Sequence, residues 1–235
     1  MNIANYLDST YLKTSNEAGI SDSKTKDIVI SKINEAIKSN FACIMIRPEF
    51  VSLVQKIIVS NNSNVKVGTV IDFPLGCGST KQKVEEAQIA INNGADDIDF
   101  VCDYNAFKRG SFNKFDKDII EGTKVGVKNR KIIKWIIETG ALSKQEITNI
   151  SKRIADLVQT HFLVDSKNIF IKTSTGYYGN FGATIKDVKR IKAVSGNLQV
   201  KASGGVSNLK ECLKMIEAGA TRIGTSKAQS IFNEK

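Results

Sequence analysis

The stretch LQVKASGGVSNLKECLKMIEAGATRIGTS, residues 198–226, contains one complete repeating unit of this chain. Its two ends, LQVKAS (198–203) and TRIGTS (221–226), are short apolar runs typical of buried strands. The segment between them has the apolar spacing of an amphipathic helix, opens with Ser and closes near Gly. A strand, a helix and a second strand in this order predict a βαβ unit with parallel strands.

The same alternation of strand and helix recurs along the rest of the 235-residue chain. Six further strand candidates occupy residues 6–12, 42–47, 66–72, 97–102, 133–138 and 169–174. Amphipathic stretches such as SKTKDIVISKINEAIKS and SKQEITNISKRIADLV separate them. Eight strands with helices between them predict an α/β fold, the (β/α)8 TIM barrel. A doubly wound open sheet is the alternative, but no GxGxxG follows the first strands.

The chain is expected to form one domain, residues 1–235, in the cytoplasm. Only 2 prolines occur, and no Gly/Ser-rich or Pro-rich segment separates two halves. The start, MNIANYLDSTYLK, lacks a basic region followed by an apolar run, and nowhere do about 18 apolar residues run together. We therefore expect a soluble protein that does not associate with membranes.

Charge and cysteine usage narrow the possible partners. The net charge of +10 is compatible with nucleic acid, a membrane surface or an anionic substrate. The lysines are spread along the chain and interleaved with acids, so we expect no nucleic-acid surface, although a basic scaffold for nucleic acid remains an alternative. The 4 cysteines lack CxxC spacing, which argues against a zinc site or a disulfide framework. We expect no metal and no other cofactor.

Four neighbouring strand candidates each carry a charged residue on one face. Because side chains alternate across a strand, Asp97 shares a face with Asp99, and the opposite parity is apolar. The same alternation turns Lys134, Lys172 and Lys201 toward the barrel interior. Lysine is almost never fully buried unless it is paired, and so few acids cannot neutralise three lysines. A buried ion-pair network is the structural alternative, but a positive interior stabilises a fold poorly.

Buried lysines on adjacent strands suit carbonyl chemistry. A free lysine has a pKa of about 10.4, so only about one in 2,500 is neutral at pH 7. Two lysines about 4.8 Å apart at the backbone repel by roughly 3 kcal/mol, or about two pKa units. Burial lowers the pKa further. The set therefore predicts Schiff-base catalysis by one lysine, with an aspartate handling protons; the alternation alone does not say which lysine is the nucleophile.

Small residues follow the last two strand candidates, where barrels usually bind phosphate. SGGVSN (203–208) and GTSK (224–227) come after strands seven and eight, and STGYYG (174–179) after strand six could close the same pocket. The expected phosphate ligands are Thr175, Gly176, Gly204, Gly205, Gly224, Thr225, Ser226 and Lys227. The alternative explanation for the Gly-Gly pair, taken by itself, is a tight turn, because turns often need glycine.

Seven motifs in order resemble one known family, the 2-deoxyribose-5-phosphate aldolases. They are LDSTYLK, VGTVIDFPLG, GADDIDFV, IIKWIIETG, FIKTSTGY, VKASGG and IEAGATRIGTS, and they span nearly the whole chain. The family consists of class I, metal-free aldolases on a (β/α)8 barrel. The resemblance implies that Lys172 forms the Schiff base, that Lys201 lowers its pKa and that Asp99 relays protons. It also gives Lys134 and Asp8 supporting roles.

The resemblance implies reversible cleavage of 2-deoxy-D-ribose 5-phosphate to acetaldehyde and D-glyceraldehyde 3-phosphate, in deoxynucleoside catabolism. It also implies a phosphorylated sugar as the binding partner and a homodimer as the assembly. Another class I aldolase, such as a transaldolase, is the alternative within the same chemistry. The chain departs from the family at Ser207, where an Arg commonly follows the Gly-Gly pair, and Lys227 is our candidate for compensation. Glu138 is the last residue on the inward face of the fifth strand candidate. Its side chain could support catalysis or form a structural hydrogen bond, and the sequence favours neither role.

Overall fold

Eight parallel strands close into a barrel in a computed structural model that describes residues 1–179 and 181–234. Each strand pairs with its neighbour in chain order, and β8 pairs with β1 to complete the ring. The strands are β1 (Leu7–Tyr11), β2 (Cys43–Ile46), β3 (Lys66–Ile71), β4 (Asp97–Val101), β5 (Ile132–Ile136), β6 (Ile169–Lys172), β7 (Gln199–Ser203) and β8 (Arg222–Thr225). The predicted (β/α)8 barrel is confirmed, and every strand candidate corresponds to one of these strands.

Helices surround the barrel and connect its strands. The α-helices are α1 (Ser15–Ala18), α2 (Asp22–Ser39), α3 (Val51–Ser60), α4 (Thr80–Asn92), α5 (Tyr104–Lys108), α6 (Phe112–Lys128), α7 (Lys144–His161), α8 (Ile185–Val194), α9 (Leu209–Glu217) and α10 (Ala228–Asn233). Short 3-10 helices cover Ile3–Tyr6, Pro48–Phe50, Thr139–Ala141 and Leu163–Asn168. Hydroxyl side chains fix the helix starts: Ser79 and Ser143 each form a capping box with the residue three positions later. No helix in the described ranges is both long and apolar enough to cross a membrane.

The main apolar core lies between the strands and the helices. Ile98, Phe100, Trp135, Ile171 and Val200 are fully buried in it, on the strand parity opposite the charged residues. Trp135 stacks on the Phe100 ring with centroids 4.7 Å apart, and its indole N–H donates to the Thr123 hydroxyl at 3.0 Å. The outward faces of the strands therefore provide the hydrophobic anchor, which leaves the inward faces free for polar side chains.

One strand boundary differs from the prediction in a way that affects the site. The fifth strand was expected to reach residue 138, but β5 ends at Ile136. Glu138 has a positive φ of 56° and begins the 3-10 helix Thr139–Ala141. Strand alternation therefore does not determine where Glu138 points, because its backbone has already left the sheet.

Helix α6 packs so closely on the sheet that a glycine is required. A Cβ built on Gly122 would lie 2.7 Å from the Trp135 ring, and Trp135 is itself held by Phe100 and Thr123. We expect Gly122→Ala to lower the stability of the fold by about 1–2 kcal/mol, because overpacking exceeds the roughly 1 kcal/mol gain in helix propensity. Thermal unfolding measures this loss. Glu121→Ala, a partly exposed neighbour on the same helix, is the control, and an equal effect of both changes would contradict the packing argument.

Candidate active site

Charged side chains fill the part of the barrel interior lined by β4 to β8 and β1. Lys134, Lys172, Lys201 and Asp99 are all buried there, on the face that strand alternation predicts. Contacts across the barrel prove their direction: Arg222 on β8 reaches Asp97 on β4, with 3.0 Å between guanidinium and carboxylate. A distance this short between non-neighbouring strands is possible only through the interior.

Asp99 links the three lysines. Its Oδ2 atom accepts hydrogen bonds from both Lys172 Nζ and Lys201 Nζ, each at 2.9 Å. Its Oδ1 atom accepts from Lys134 Nζ at 2.8 Å. The two lysines on β6 and β7, which face each other in the sheet register, therefore share one oxygen atom. This geometry joins the two candidate nucleophiles to a single carboxylate able to pass protons between them.

Three further residues extend this contact chain. Lys201 Nζ lies 2.6 Å from Asp8 Oδ2, and Asp8 Oδ1 accepts from Arg222 Nε at 2.6 Å. Arg222 also contacts Asp97, whose Oδ2 accepts from Lys134 Nζ at 2.7 Å. We call the six groups of this closed circuit the charge ring. Its members, in order, are Lys201, Asp8, Arg222, Asp97, Lys134 and Asp99.

The sequence-derived interior set was incomplete. It counted Asp99 and the three lysines but not Arg222, Asp8 or Asp97, although Asp97 was placed on the same face as Asp99, so the expected shortage of acids was overstated. The signal for Arg222 was present in TRIGTS, where alternation separates Arg222 and Gly224 from Ile223. Counting Arg222 together with Asp8 and Asp97 gives four cations and three carboxylates, so the excess falls from two positive charges to one.

Lys172 and Lys134 differ in their electrostatics. Burial lowers the pKa of Lys172 to about 8; the Asp99 carboxylate opposes this shift, while the Lys201 and Lys134 ammonium groups add to it. At pH 7 about one-tenth of such a lysine is neutral, compared with about one in 2,500 for a free one. Lys134 shows the opposite behaviour, since Asp97 and Asp99 outweigh its burial and raise its pKa. Lys172 is therefore much better prepared than Lys134 to attack a carbonyl.

The cause of this shift corrects the sequence-based argument. The sequence argument named repulsion by the neighbouring lysine first and burial as an addition, whereas burial is the larger contribution at Lys172 and Lys201 adds to it. The pKa of the Asp99 carboxyl is also shifted, because the same lysines surround it. Burial alone would raise the pKa of its carboxyl, but Lys134, Lys172 and Lys201 outweigh this and hold the pKa well below its usual range. Asp99 is thus a firmly ionised acceptor.

The predicted phosphate residues lie together at the C-terminal ends of β6, β7 and β8. Thr225 Oγ1 donates to the Val206 carbonyl at 2.7 Å, which joins the loop after β8 to the loop containing Gly204 and Gly205. Both glycines have positive φ, and Gly204 also approaches Gly176 closely. Gly224 must lack a side chain because a Cβ there would lie 2.3 Å from Ser203 Oγ. Ser226 and Lys227 are exposed beside these loops.

Thr175 is already engaged with Glu138. Its backbone N–H donates to Glu138 Oε2 at 3.2 Å, and its hydroxyl donates to the same oxygen. Both donors of Thr175 are therefore already used within this pair. Glu138 is buried, which raises the pKa of its carboxyl, and its second oxygen has no hydrogen-bond partner among the described residues. The pair attaches the loop after β6 to the end of β5, and this favours the structural reading of Glu138.

The wall opposite the lysines is apolar. Leu12, Cys43, Met45 and Val70 form a separate buried cluster on the β1 to β3 side, against which Phe73 and Tyr177 pack. Arg47 holds this side of the mouth: its Nε donates to the Leu12 carbonyl at 2.7 Å, and its guanidinium lies 5.0 Å from the Phe73 ring centroid. The interior thus has one charged wall that bears the reactive amine and one wall suited to a small apolar group.

Comparison with known proteins identifies the family. A family model described as DeoC/LacD family aldolase matches residues 12–233. This chain belongs to the DeoC/LacD aldolase family. The deoxyribose-phosphate aldolase of Staphylococcus haemolyticus is 42% identical over 233 residues, covering 99% of this chain and 96% of its own length. That of Thermococcus gammatolerans is 37% identical over 227 residues, covering 96% and 93%.

A solved structure agrees with the assignment. The aldolase QR15 superposes on this chain with a TM-score of 0.82 at 32% identity, covering 100% of this chain and 96% of QR15. As a member of the family, the chain is an enzyme, an aldolase and therefore a lyase. The resemblance that the motifs indicated is confirmed at the level of family and fold.

Only one group of described side chains in this aldolase has the spacing of a metal site. The donor atoms of Asp8, Cys43 and Asp97 all lie within 4.8 Å of one another. Both carboxylates already contact Arg222, and burial together with these two carboxylates raises the pKa of the Cys43 thiol well above its usual range. Because a metal requires the thiolate, these residues fit a protonated thiol beside two paired carboxylates better than a metal centre.

Two acids at the rim, Asp72 and Asp103, are engaged in local contacts in this aldolase. Asp72 Oδ2 accepts from the Gly78 backbone N–H at 2.7 Å. Asp103 caps α5 by accepting from Ala106, and it pairs with Lys114 at 2.6 Å. Their contacts fix the loops after β3 and β4, so we assign them to loop geometry at the rim.

Because of the charges around Lys172, replacing Lys172 should stabilise the fold, whereas replacing Lys201 should destabilise it. Lys172 binds its proton less tightly in the folded aldolase than in the unfolded chain, so its charged form disfavours folding. This penalty is complete below about pH 8 and disappears as the pH rises toward about 10.4, the unfolded value. We expect Lys172→Met to raise the melting temperature at pH 7, with an advantage that shrinks above pH 8.

Lys201→Met serves as the matched comparison, because it leaves Asp8 and Asp99 without a shared cation. Breaking a buried pair in this way costs about 3–5 kcal/mol, with about 2–4 °C of melting temperature for each kcal/mol. Circular dichroism melts at pH 7 and pH 9 measure both effects. Similar losses in the two variants would show that Lys172 is an ordinary member of the network.

Proposed function

We propose that this aldolase reversibly cleaves 2-deoxy-D-ribose 5-phosphate to acetaldehyde and D-glyceraldehyde 3-phosphate through a Schiff base on Lys172. The observation that carries the proposal is a buried lysine with a pKa of about 8, bonded to Asp99 beside a second lysine. The relatives named above, which are deoxyribose-phosphate aldolases, support the substrate. Deoxynucleoside catabolism, a cytoplasmic location and a homodimeric assembly belong to the same proposal.

The first step is attack by the neutral Lys172 amine on the C1 carbonyl of the open-chain sugar. The resulting carbinolamine loses its hydroxyl as water and becomes a protonated imine. Lys201, a cation on the adjacent strand that shares Asp99 with Lys172, is placed to donate the required proton. Asp99, which is firmly ionised, is suited to pass protons between the two nitrogens and to release them again.

Cleavage of the C2–C3 bond follows from the positive charge on the imine nitrogen. The bonding electrons flow toward that nitrogen to give an enamine, while the C3 hydroxyl loses its proton and becomes the aldehyde of glyceraldehyde 3-phosphate. Protonation of the enamine at C2 and hydrolysis then release acetaldehyde and regenerate the lysine. The apolar wall around Met45 and Val70 suits the two-carbon fragment. Fixed strands hold all reacting groups in position, which supplies much of the acceleration.

Trapping the imine tests the covalent step. The protein is incubated with acetaldehyde and borohydride, and peptide mass spectrometry locates any added ethyl group. We expect one modification, on Lys172, that excess deoxyribose 5-phosphate prevents. Lys201→Leu should weaken the labelling, since the neighbouring cation contributes to the lowered pKa of Lys172. Labelling scattered over surface lysines, or none at all, would contradict a Schiff base at Lys172 and favour a structural network.

The phosphate end has its own test at Lys227, next to the loops after β7 and β8. Because Ser207 replaces the usual family Arg, we expect Lys227→Ala to raise KM for the phosphorylated substrate about tenfold, with little change in kcat. Lys128→Ala at the opposite end of the barrel is the control. The unphosphorylated sugar gives a second comparison, because its KM should not change. An unaltered KM for the phosphorylated sugar would exclude Lys227 from phosphate binding.

A further inference from the structure

The charge ring is electrically balanced without Lys172. Its six members alternate in sign around the interior, and each carboxylate contacts two cations of the ring. Three cations and three carboxylates therefore cancel among themselves. The groups are buried, so water does little to screen any charge that is added to this balanced set.

Lys172 is attached to the ring but has no carboxylate of its own. Among the residues that the structure describes, its ammonium group forms a hydrogen bond and ion pair only with Asp99 Oδ2, an atom that already accepts from Lys201. A protonated Lys172 therefore leaves the buried interior with one uncompensated positive charge. Releasing its proton restores neutrality, because the amine is then uncharged while the ring is unchanged.

Arg222 supplies the cation that makes this balance complete. It lies between Asp8 and Asp97, at 2.6 Å and 3.0 Å, on the side of the ring away from Lys172. In the sheet register, Lys172, Lys201 and Arg222 stand side by side on β6, β7 and β8. Without Arg222 the ring would hold two cations and three carboxylates, and a protonated Lys172 would then be the charge that balances it.

We propose that Arg222 is a positioning residue for the Schiff-base step: by neutralising Asp8 and Asp97 it makes the proton on Lys172 the excess charge of the interior. This inference rests on the proposed function in that Lys172 is the nucleophile. It adds the charge count of the whole ring to burial as a cause of the activation of Lys172, with Lys201 as only one contributor to that count. Arg222 does so at a distance from Lys172, since its own hydrogen bonds and ion pairs are to Asp8 and Asp97.

Two further titratable groups near Lys172, Cys43 and Glu138, lie outside the ring and form no ion pair with its members among the described residues. The groups that surround Lys172 and the ring are Asp8 on β1, Cys43 on β2, Asp97 and Asp99 on β4, Lys134 on β5, Glu138 after β5, Lys201 on β7 and Arg222 on β8. Burial raises the pKa of the Cys43 thiol, which therefore stays neutral. Burial also raises the pKa of Glu138, and hydrogen bonds from Thr175 engage its carboxylate.

The expected size of the effect follows from distance. Two strand spacings separate Arg222 from Lys172, or about 10 Å at the backbone. At an effective dielectric constant of about 20, removing a unit charge at that distance shifts a pKa by about one unit. The neutral fraction of Lys172 at pH 7 should therefore fall about tenfold when the charge of Arg222 is removed.

Reductive methylation measures this without any turnover. The folded protein is treated with formaldehyde and cyanoborohydride across a pH series, and peptide mass spectrometry gives the initial rate at Lys172. Lys152, whose side chain is 63% exposed on α7, provides the internal reference. We expect half-maximal reactivity of Lys172 near pH 8 in the unaltered protein and about one unit higher in Arg222→Gln. Arg222→Lys keeps the charge and should stay close to the unaltered protein.

Two further variants separate the charge count from a structural role. Asp97→Asn removes one acid, so its Lys172 profile should move to lower pH. Combining Arg222→Gln with Asp97→Asn restores a neutral ring of four charges, and the profile should return close to that of the unaltered protein. A structural role for Arg222 predicts no such return. If Arg222→Gln alone fails to fold, as judged by circular dichroism, the single Asp97 variant and the double variant still decide the question.

An unchanged Lys172 profile in Asp97→Asn and in Arg222→Gln would overturn the inference, as would a double variant that behaves like Arg222→Gln alone. The proposed role of Arg222 and the proposed substrate can be refuted separately. Shifts of the expected sign without cleavage of deoxyribose 5-phosphate would refute the proposed substrate and leave the role of Arg222 intact. Cleavage of deoxyribose 5-phosphate through Lys172 without any shift of the profile would support the proposed substrate and refute the role of Arg222.

Discussion

The buried charge ring is the constraint on which the rest of the structure depends. Burying so many ionised groups is unfavourable unless each has its partners in place, and a missing partner destabilises the fold strongly. The ring satisfies this condition because its members come from β1, β4, β5, β7 and β8, and each carboxylate contacts two cations. Only a closed barrel brings side chains from so many strands to one place. The apolar layer outside the strands, with Trp135 and Phe100 at its centre, must hold these strands in register.

Much of this arrangement could be predicted from the sequence, because two periodicities encode it. Repeated strand and helix patterns gave the barrel, and alternation within strands placed Lys134, Lys172, Lys201 and Asp99 inside it. Helix α6 is harder to recognise, since Gly122 and Gly126 lower its helix propensity. Both glycines are explained only by tertiary packing, because their Cβ atoms would overlap with Trp135 and Ile133.

Other features of the site could not be derived from local patterns. The role of Arg222 depends on contacts with Asp8 and Asp97, which are 214 and 125 residues away along the chain. The orientation of Glu138 depends on a left-handed backbone conformation that strand alternation does not describe. The dominance of burial over repulsion at Lys172 depends on how completely the interior excludes water, and a sequence gives no measure of that.

Charge balance also connects the activation of Lys172 with the bond cleavage that we propose. A neutral amine, a protonated imine and an enamine follow one another on the same nitrogen, and only the imine carries a positive charge. Because the ring is neutral by itself, it favours the two uncharged species over the charged one. The interior that releases the proton from Lys172 therefore also favours movement of electrons from the C2–C3 bond into the imine. One electrostatic property of the barrel thus favours both the step before the imine and the step that consumes it, and both depend on the cations and carboxylates of the ring remaining equal in number.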